Sequence, residues 1–357
     1  MKKVAVILVN YKDYAQKFLA DCKQSLRAQK FPEKFFIYII DNASSAESLD
    51  YLRQNFPEAR VIPRPDGNYC AALNAGIKAG TEDGCEYFVS LNLDVALDPF
   101  WLKELVAVAD GFPDCGIVQS KILLFPKNEE EEENPKINTL GNHIHYLGFG
   151  FTSAYGEFNS GHVGLKPHEL SGYASGCAVL MKKEMLDRIG LFDEEYYMYH
   201  DDLEMSWRAR LAGYKIFLAP QSIVFHKYEF SRSSRMAFYM ERNRYLAIFQ
   251  YYDWQTIAVI LPMLAIMELG MIIYSLKNGW FDKRLGIYRY FLSGKTWSHI
   301  REQRSALAKI RKISDKTIIA GFRGKIEFQE IGNPLLDKVG NPLMAIYFRL
   351  AKIIIFW

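Results

Sequence analysis

The sequence predicts an α/β protein built on a mostly parallel sheet with helices on both faces, followed by a helical C-terminal region. Three observations carry that prediction. Short apolar runs such as Val4–Val9 and Phe35–Ile40 alternate with helical patterns through the first part of the chain, the rhythm of βαβ units. Those runs are apolar on both faces, as strands covered by helices on both sides require. The charge then changes sign along the chain. After His226, 21 Lys and Arg stand against 10 Asp and Glu, a net +11, whereas the chain up to His226 carries 23 against 31, a net −8. The overall +3 conceals an acidic body and a basic tail.

The elements follow in order. Met-Lys-Lys and the apolar run after it imitate a signal peptide, but the run stops at Asn10 and no small-residue cleavage site follows. Val4–Val9 therefore reads as a first buried strand. Helical patterns cover Tyr14–Ala28, Ala46–Asn55, Cys70–Ala79 and Pro99–Ala109, separated by strands at Phe35–Ile40, Arg60–Ile62 and Tyr87–Leu91. Sheets of this kind bind ligands at the carboxyl ends of their strands. The loops to inspect are thus Asn10–Asp13, Asp41–Ser44, Pro63–Asn68 and Asn92–Asp98. Glu129–Glu133, five acids between Pro126 and Pro135, reads as a solvated loop without function. Residues 137–180 lose the βαβ rhythm, and His143 and His145 read as the polar face of a strand. Leu203–Ala212 reads as a helix.

With 357 residues, half of them hydrophobic, the chain is no disordered or low-complexity protein. Five scattered cysteines without Cys-x-x-Cys spacing indicate reduced thiols in a cytosolic setting rather than a disulfide framework or zinc site. From Ile257 to Leu276, 20 residues carry one charge, Glu268, and one proline, Pro262. That length suffices to span a bilayer, although a mid-depth carboxylate costs about 2.5–3.5 kcal/mol. Lys277, Lys283, Arg284 and Arg289 follow, and Met344–Trp357 is apolar except for Arg349 and Lys352. Apolar helices with basic rims suit the surface of an anionic leaflet; a buried helical hairpin has a similar composition. Whether 257–276 spans or lies on the bilayer stays open.

The chemistry concentrates at strand ends. Asp41 and Asn42 close the second strand and Asn92-Leu93-Asp94 the fourth, where Asx residues also make turns. Asn92-Leu93-Asp94 is similar to the Asp-x-Asp element by which nucleotide-sugar enzymes hold a divalent ion, since a hard cation on oxygen ligands neutralises a diphosphate leaving group. Tyr196–Arg208 places Asp201, Asp202 and Glu204 at a helix start crowded by aromatics. Capping and the helix dipole account for one or two of these acids; a partly desolvated general base accounts for the rest.

Eight motifs occur in the order found in family 2 glycosyltransferases. They are Val9-Asn10-Tyr11, Asp41-Asn42-Ala43-Ser44, Asn74-Ala75-Gly76-Ile77, Asn92-Leu93-Asp94, Ser175-Gly176-Cys177-Ala178, Gly190-Leu191-Phe192-Asp193-Glu194, His200-Asp201-Asp202-Leu203-Glu204 with Arg208, and Ala212-Gly213-Tyr214. The chain resembles the bacterial rhamnosyltransferase-like branch of that family over roughly residues 1–230. The resemblance implies a GT-A fold over 1–230, with a nucleotide-binding half (1–98) and an acceptor-binding half (99–230), ahead of a helical, basic, membrane-associating region (231–357).

It further implies an inverting, metal-dependent hexosyltransferase of cell-envelope glycan synthesis. The donor would be a nucleotide-diphosphate sugar, dTDP- or UDP-linked and plausibly carrying rhamnose. The acceptor would be lipid-linked or a polysaccharide, met at the cytoplasmic face of the inner membrane. Val9, Asn10, Tyr11, Asp41, Asn42, Asn68, Asn74, Asn92, Asp94 and Gly176 are the implied donor contacts. Asp202 is the implied base, Gly176, Asp201 and Asp202 border the acceptor, and Asp94 with His226 is the implied site for Mg2+ or Mn2+. A homo-oligomer is left open, and nucleic acid is not a partner of an acidic body.

Two departures stand out. Asp66-Gly67-Asn68 replaces the family's Asn-x-Gly, and Asn92 replaces the first metal-motif acid, which throws weight onto His226 and the donor phosphates. Two other enzyme classes fit less well. A sugar nucleotidyltransferase needs a Gly-rich basic loop where Asn10-Tyr11-Lys12-Asp13 stands, and an NAD enzyme needs a Gly-x-Gly-x-x-Gly after a strand. A membrane-surface protein that binds nucleotide sugar or glycan without turnover is the non-enzymatic alternative.

Overall fold

The apolar runs at the head of the chain form the strands expected of them. In the computed structural model, which describes residues 3–228, 234–327 and 334–357, the strands are β1 (Val4–Tyr11), β2 (Phe35–Asn42), β3 (Arg60–Arg64), β4 (Tyr87–Leu91), β5 (Val95–Leu97) and β6 (Cys115–Leu124). They continue with β7 (Ile137–Thr139), β8 (Asn142–Ile144), β9 (Gly150–Thr152), β10 (His168–Glu169), β11 (Ala178–Lys182) and β12 (Lys215–His226). The helices are α1 (Tyr14–Arg27), α2 (Ala46–Asn55), α3 (Tyr69–Glu82), α4 (Trp101–Gly111), α5 (Glu129–Glu133), α6 (Lys183–Ile189) and α7 (Asp201–Leu211). After them come α8 (Ser234–Tyr251), α9 (Trp254–Lys277), α10 (Phe281–Leu292), α11 (Gly294–Ile310), α12 (Asp315–Ala320) and α13 (Asn341–Ile354). The chain divides into two units. Residues 1–142, 152–209 and 214–229 form the first, and residues 143–151, 210–213 and 230–357 the second.

A sheet with the order β10-β12-β6-β11-β4-β1-β2-β3 runs through the first unit, with β5 beside β12 and β7 beside β6. The side built from β3, β2, β1 and β4 is parallel, as the βαβ rhythm requires. β11 enters antiparallel between β4 and β6 and ends that regularity. Val4, Val6 and Leu8 pack on one side of β1 with Leu19, Leu26 and Trp101, and none of these is more than 1% exposed. On the other side α3 lies so close that a Cβ at Gly76 would stand 2.4 Å from Ile7 Cγ2. Glycine there permits the helix to approach the strand. α2 begins where Ser45 Oγ accepts from Ser48 N at 3.1 Å and Ser48 Oγ returns the bond to Ser45 N at 2.9 Å, a reciprocal cap.

Two local expectations fail. Glu129–Glu133 is a short helix rather than a loop, because Asn128 Oδ1 caps it through Glu131 N at 3.0 Å and acids near a helix start are favoured. His145 is no exposed strand face. It is fully buried beyond the end of β8, where its Nδ1 accepts from Leu147 N at 3.2 Å and burial depresses its pKa to about 3. His143 is half-buried and likewise lowered, to about 4.

The second unit is helical around a buried ionic core. Arg244 is completely buried, donates to Leu147 O at 3.0 Å and pairs with Glu241 at 2.9 Å. Arg284 joins Glu241 at 3.0 Å from α10. Tyr146 stacks on Phe348 of α13 with centroids 4.5 Å apart.

Candidate active site

The carboxyl ends of β1 and β2 set the first wall of the site. Their register pairs Asn10 with Asp41 and Tyr11 with Asn42. Asn10 donates to Asp41 Oδ1 at 2.7 Å and accepts from Ala15 N at 2.8 Å. Asp41 Oδ2 accepts from Ser44 at 2.7 Å and Ser48 at 2.6 Å. Both residues are fully buried, so in this structure Asp41 organises the turn into α2. Val9 is half-buried, paired with Ile40. Asn42 is buried, and its Oδ1 has no hydrogen-bond partner among the described residues. An orphaned acceptor at a strand end, half a pleat from Tyr11, is the group a ligand donor would satisfy.

Asn68 and Asn74 serve α3. Asn68 Oδ1 caps the helix through Ala71 N at 3.1 Å, and its amide reaches Glu194 O at 2.9 Å. Asn74 is saturated by Phe192 N and O at 3.0 Å each and by Glu194 Oε1 at 3.0 Å. Those bonds fasten α3 to the Gly190–Glu194 loop.

Asp94 and His226 meet because β5 and β12 pair antiparallel with Val95 opposite His226. His226 Nε2 lies 3.3 Å from Asp94 Oδ1, and Tyr14 donates to Asp94 Oδ2 at 2.6 Å. His226 Nδ1 faces Asn138 Oδ1 at 3.1 Å, which leaves Nε2 directed at the carboxylate. Burial acts against the imidazolium, but the Cys177 sulfur and the Asp94 carboxylate beside it outweigh burial and raise His226 to about 10. For Asp94 burial acts upward, yet His226 and Tyr14 hold the carboxyl below its ordinary range. Asn92, half-buried, contributes its backbone N to Cys177 O at 2.9 Å. No group of three or more His, Cys, Asp or Glu side chains able to hold a metal occurs among the described residues. A two-residue set still fits one ion once His226 releases its proton, since only the neutral imidazole ligates a metal. Ligands at about 2.0–2.2 Å from an ion stand roughly 3 Å apart, close to the Asp94–His226 spacing, and Asp94 Oδ1 is buried with His226 Nε2, at 3.3 Å, as its ion-pair partner.

The other wall is the start of α7. Asp202 Oδ2 accepts from Gly176 N at 3.0 Å, and Oδ1 from Leu203 N at 2.8 Å. A Cβ at Gly176 would lie 3.5 Å from Asp202 Cβ, and the bare glycine keeps that face of the carboxylate open. Ser175 N is held by Gln119 Oε1 at 2.8 Å, and Ala174 N by Ser206 Oγ at 3.1 Å, so the Gly176 loop is fixed from both sides. Asp201 and Asp202 border a small, mostly apolar pocket with Leu73, Ile117, Met181 and Phe192. Burial raises the pKa of both Asp201 and Asp202; the Asp202 and Glu204 carboxylates add to the rise of Asp201, whereas the Gly176 and Leu203 amides act against that of Asp202.

Glu204 and Arg208 have a different role. Their buried pair at 2.8 Å, with Arg208 donating to Ile189 O at 2.6 Å and Leu191 O at 2.7 Å, ties α7 to the Gly190–Glu194 loop. Arg208→Ala should therefore destabilise the first unit by about 3–5 kcal/mol, because Glu204 is left charged and buried. Urea unfolding of the variant checks this, and an unchanged midpoint would remove the structural assignment.

Several residues of the site escaped sequence reading: Tyr14, Asn138, Cys177 and Arg64. Arg64 ends β3 in register with Asn42 and pairs with Asp66 at 2.6 Å. Backbone strain carries a signal that composition does not. Six non-glycine residues among those described have positive φ, and Lys12, Ala43, Tyr197, Tyr199 and His200 are five of them. They follow β1 and β2 and precede α7, and such strain gathers at functional loops.

The Glycosyl transferase family 2 model matches residues 5–190, more than half of the chain. The chain belongs to glycosyltransferase family 2. Over 255 residues the transferase is 27% identical to the O-antigen biosynthesis protein RfbC of Myxococcus xanthus, covering 70% of this chain and 19% of that one. Over 209 residues it is 24% identical to the N-acetylglucosaminyl-diphospho-decaprenol L-rhamnosyltransferase of Mycobacterium tuberculosis, covering 53% of this chain and 66% of that one. The transferase thus spans less than two thirds of either relative's own length. A solved structure of GalNAc-T7 with UDP, GalNAc and Mn2+ superposes with a TM-score of 0.55 at 16% identity, covering 71% of this chain and 49% of that one. At that identity the likeness speaks to the GT-A fold.

Proposed function

We propose that the transferase moves a sugar, rhamnose or a close relative of it, from a dTDP- or UDP-linked donor to a hydroxyl of a lipid-linked or polysaccharide acceptor, with inversion. The observation that carries this reading is the half-buried Asp202 carboxylate, held by the Gly176 and Leu203 amides beside Asp201, with its pKa raised by burial. Asp202 takes the proton from the acceptor hydroxyl as that oxygen forms its bond to the anomeric carbon. The bond from that carbon to the donor diphosphate breaks on the opposite face, and the electron pair leaves with the diphosphate. Asp94 and His226 would hold a divalent ion, which supplies charge neutralisation for the leaving diphosphate. Asn42 with its unsatisfied oxygen, Tyr11 and Arg64 border the nucleotide. Asn10 and Asp41 keep their turn in place.

Support for the substrate class comes from the rhamnosyltransferase relative, whose name records a polyprenyl-diphosphate acceptor, and from RfbC in O-antigen synthesis. Such acceptors sit in a membrane, so we place the enzyme at the cytoplasmic face of the cell membrane, docked by residues 231–357. The direct test is a donor panel. Incubated with dTDP-rhamnose and UDP-sugars in Mg2+ or Mn2+, the protein should release the nucleoside diphosphate from one donor far faster than from the others. Release of pyrophosphate from a nucleoside triphosphate and sugar phosphate would instead establish a nucleotidyltransferase, and binding without release an inactive module.

A further inference from the structure

α9 is apolar on its outside as well as its inside. Its inward face packs Ile257, Ile260, Met263 and Leu264 together with the fully buried Thr256 and Ser275 and the half-buried Glu268. Its outward face runs Trp254, Ala258, Leu261, Ala265, Ile266, Leu269, Ile273 and Leu276 at helical spacing, without a charge. Leu261, Ile266, Leu269, Ile273 and Leu276 are each 51% to 63% exposed. A helix whose outer face met water would be polar there. α13 likewise leaves an apolar stripe outside, over a buried face of Met344, Phe348 and Ala351. Leu343, Ile346, Leu350 and Ile353 form an outward stripe, 45% to 77% exposed. It lies beside α9, with Tyr347 donating to Val259 O at 2.6 Å and Trp357 Nε1 to Thr256 Oγ1 at 2.9 Å. An apolar surface on this scale marks a contact with another apolar phase.

We infer that α9 and α13 form a monotopic docking surface for an anionic phospholipid bilayer, on which α9 lies in the plane of the membrane and does not cross it. The inference rests on the envelope-glycan reading only for the choice of a membrane as occupant. α9 has 24 residues, about 36 Å of helix, so length alone permits crossing. The inward face forbids it. Glu268, past the middle of α9, pairs with Arg284 of α10 at 2.9 Å, and the hydroxyls of Tyr245 and Tyr288 also donate to it. Arg284 is in turn bound to Glu241 of α8 at 3.0 Å. A crossing α9 would draw Arg284, and with it Asp282, Lys283 and Arg289 of α10, into hydrocarbon. In the plane, the same contacts stay on the water side and only the outward stripe enters lipid. The exposed cations Lys277, Arg289, Arg349 and Lys352 belong to the elements that carry or flank the stripes, and each gains by facing anionic headgroups. A second protein copy would gain nothing from them.

The test uses the full chain and sealed vesicles. It should float with phosphatidylcholine–phosphatidylglycerol vesicles and much less with phosphatidylcholine alone. Leu269→Asp with Ile273→Asp, both outward, should weaken vesicle binding about tenfold or more with the thermal midpoint and donor hydrolysis unchanged. Topology is read by Gln255→Cys and Lys277→Cys, introduced singly at the two ends of α9. The five native cysteines are all buried, and a membrane-impermeant maleimide added outside should label both new ones. Protection of one end establishes crossing and overturns the in-plane assignment. Equal vesicle binding by the Asp variant overturns the lipid assignment, as does a concentration-dependent dimer that the variant disperses while the wild type ignores vesicles. Wild-type protein that floats with the vesicles but hydrolyses no donor would count against the transfer reading alone.

Discussion

Asp202→Asn should lower sugar transfer by about 10²- to 10⁴-fold while leaving donor binding within a small factor of wild type. The substitution keeps the shape of the side chain and an acceptor for one of the Gly176 and Leu203 amides, which bond different oxygens of Asp202 at 3.0 and 2.8 Å, and the other amide loses its acceptor. What it removes is the capacity to accept a proton. Titration with the nucleoside diphosphate measures binding, and single-turnover transfer measures chemistry. Full transfer by the variant would end the assignment of the base.

The pH dependence has a defined sign. Burial raises Asp202, and burial together with its neighbour raises Asp201. The base works only when deprotonated, so transfer is present at higher pH and is lost as pH falls through a pair value lying above the ordinary carboxylate range. The two acids titrate as a unit. Asp201→Asn should relieve the repulsion, retain transfer and move the acid limb to lower pH. An acid limb that stays put in Asp201→Asn would mean that the pair is not coupled.

Much of the first unit was legible because its cause is local. Val4–Tyr11 and Phe35–Asn42 are apolar on both faces, and α2 is bounded by Ser45 and Asn55 as its own cap dictates. Residues 99–230 were legible only in their helices, α4 and α7 standing where Pro99–Ala109 and Leu203–Ala212 predict them. β7, β9 and β10 have two or three residues each, too few to show alternation. The long β12 pairs with β6 through a register shift between Ala219 and Ile223 that no local pattern announces. His145 shows the same limit, since its alternating neighbours suggested a polar face and tertiary packing buried it. The site divides similarly. Asp94, Asp202 and Gly176 sit on motifs and could be named. Tyr14 and Asn138, which orient Asp94 and His226 from 80 and 88 residues away, are invisible until the sheet brings them together. Asn74 shows the converse, a motif residue whose hydrogen bonds hold the framework.

Asp94→Ala is the other change expected to be severe, costing several kcal/mol of transition-state stabilisation if its carboxylate helps hold an ion at the diphosphate. A purely structural role would predict something else. Tyr14 and His226 would each lose a buried partner, and the thermal midpoint would fall with activity. The two accounts separate in a double-mutant cycle. If Asp94 and His226 hold one ion, Asp94→Ala and His226→Gln should each lose most of the transfer rate, and the double variant should lose little more than either alone. Mn2+ bound by the nucleotide complex, followed by electron paramagnetic resonance, should weaken in each variant without any change in secondary structure. Additive losses, or Mn2+ binding indifferent to both changes, would detach the pair from the metal. Chelator-insensitive transfer with a harmless Asp94→Ala would remove the metal from the reaction altogether. The departure at position 92 sharpens the test. Where relatives of the Asp-x-Asp type have two acids, this chain has one, so losing Asp94 leaves His226 and the donor phosphates with no protein carboxylate beside them.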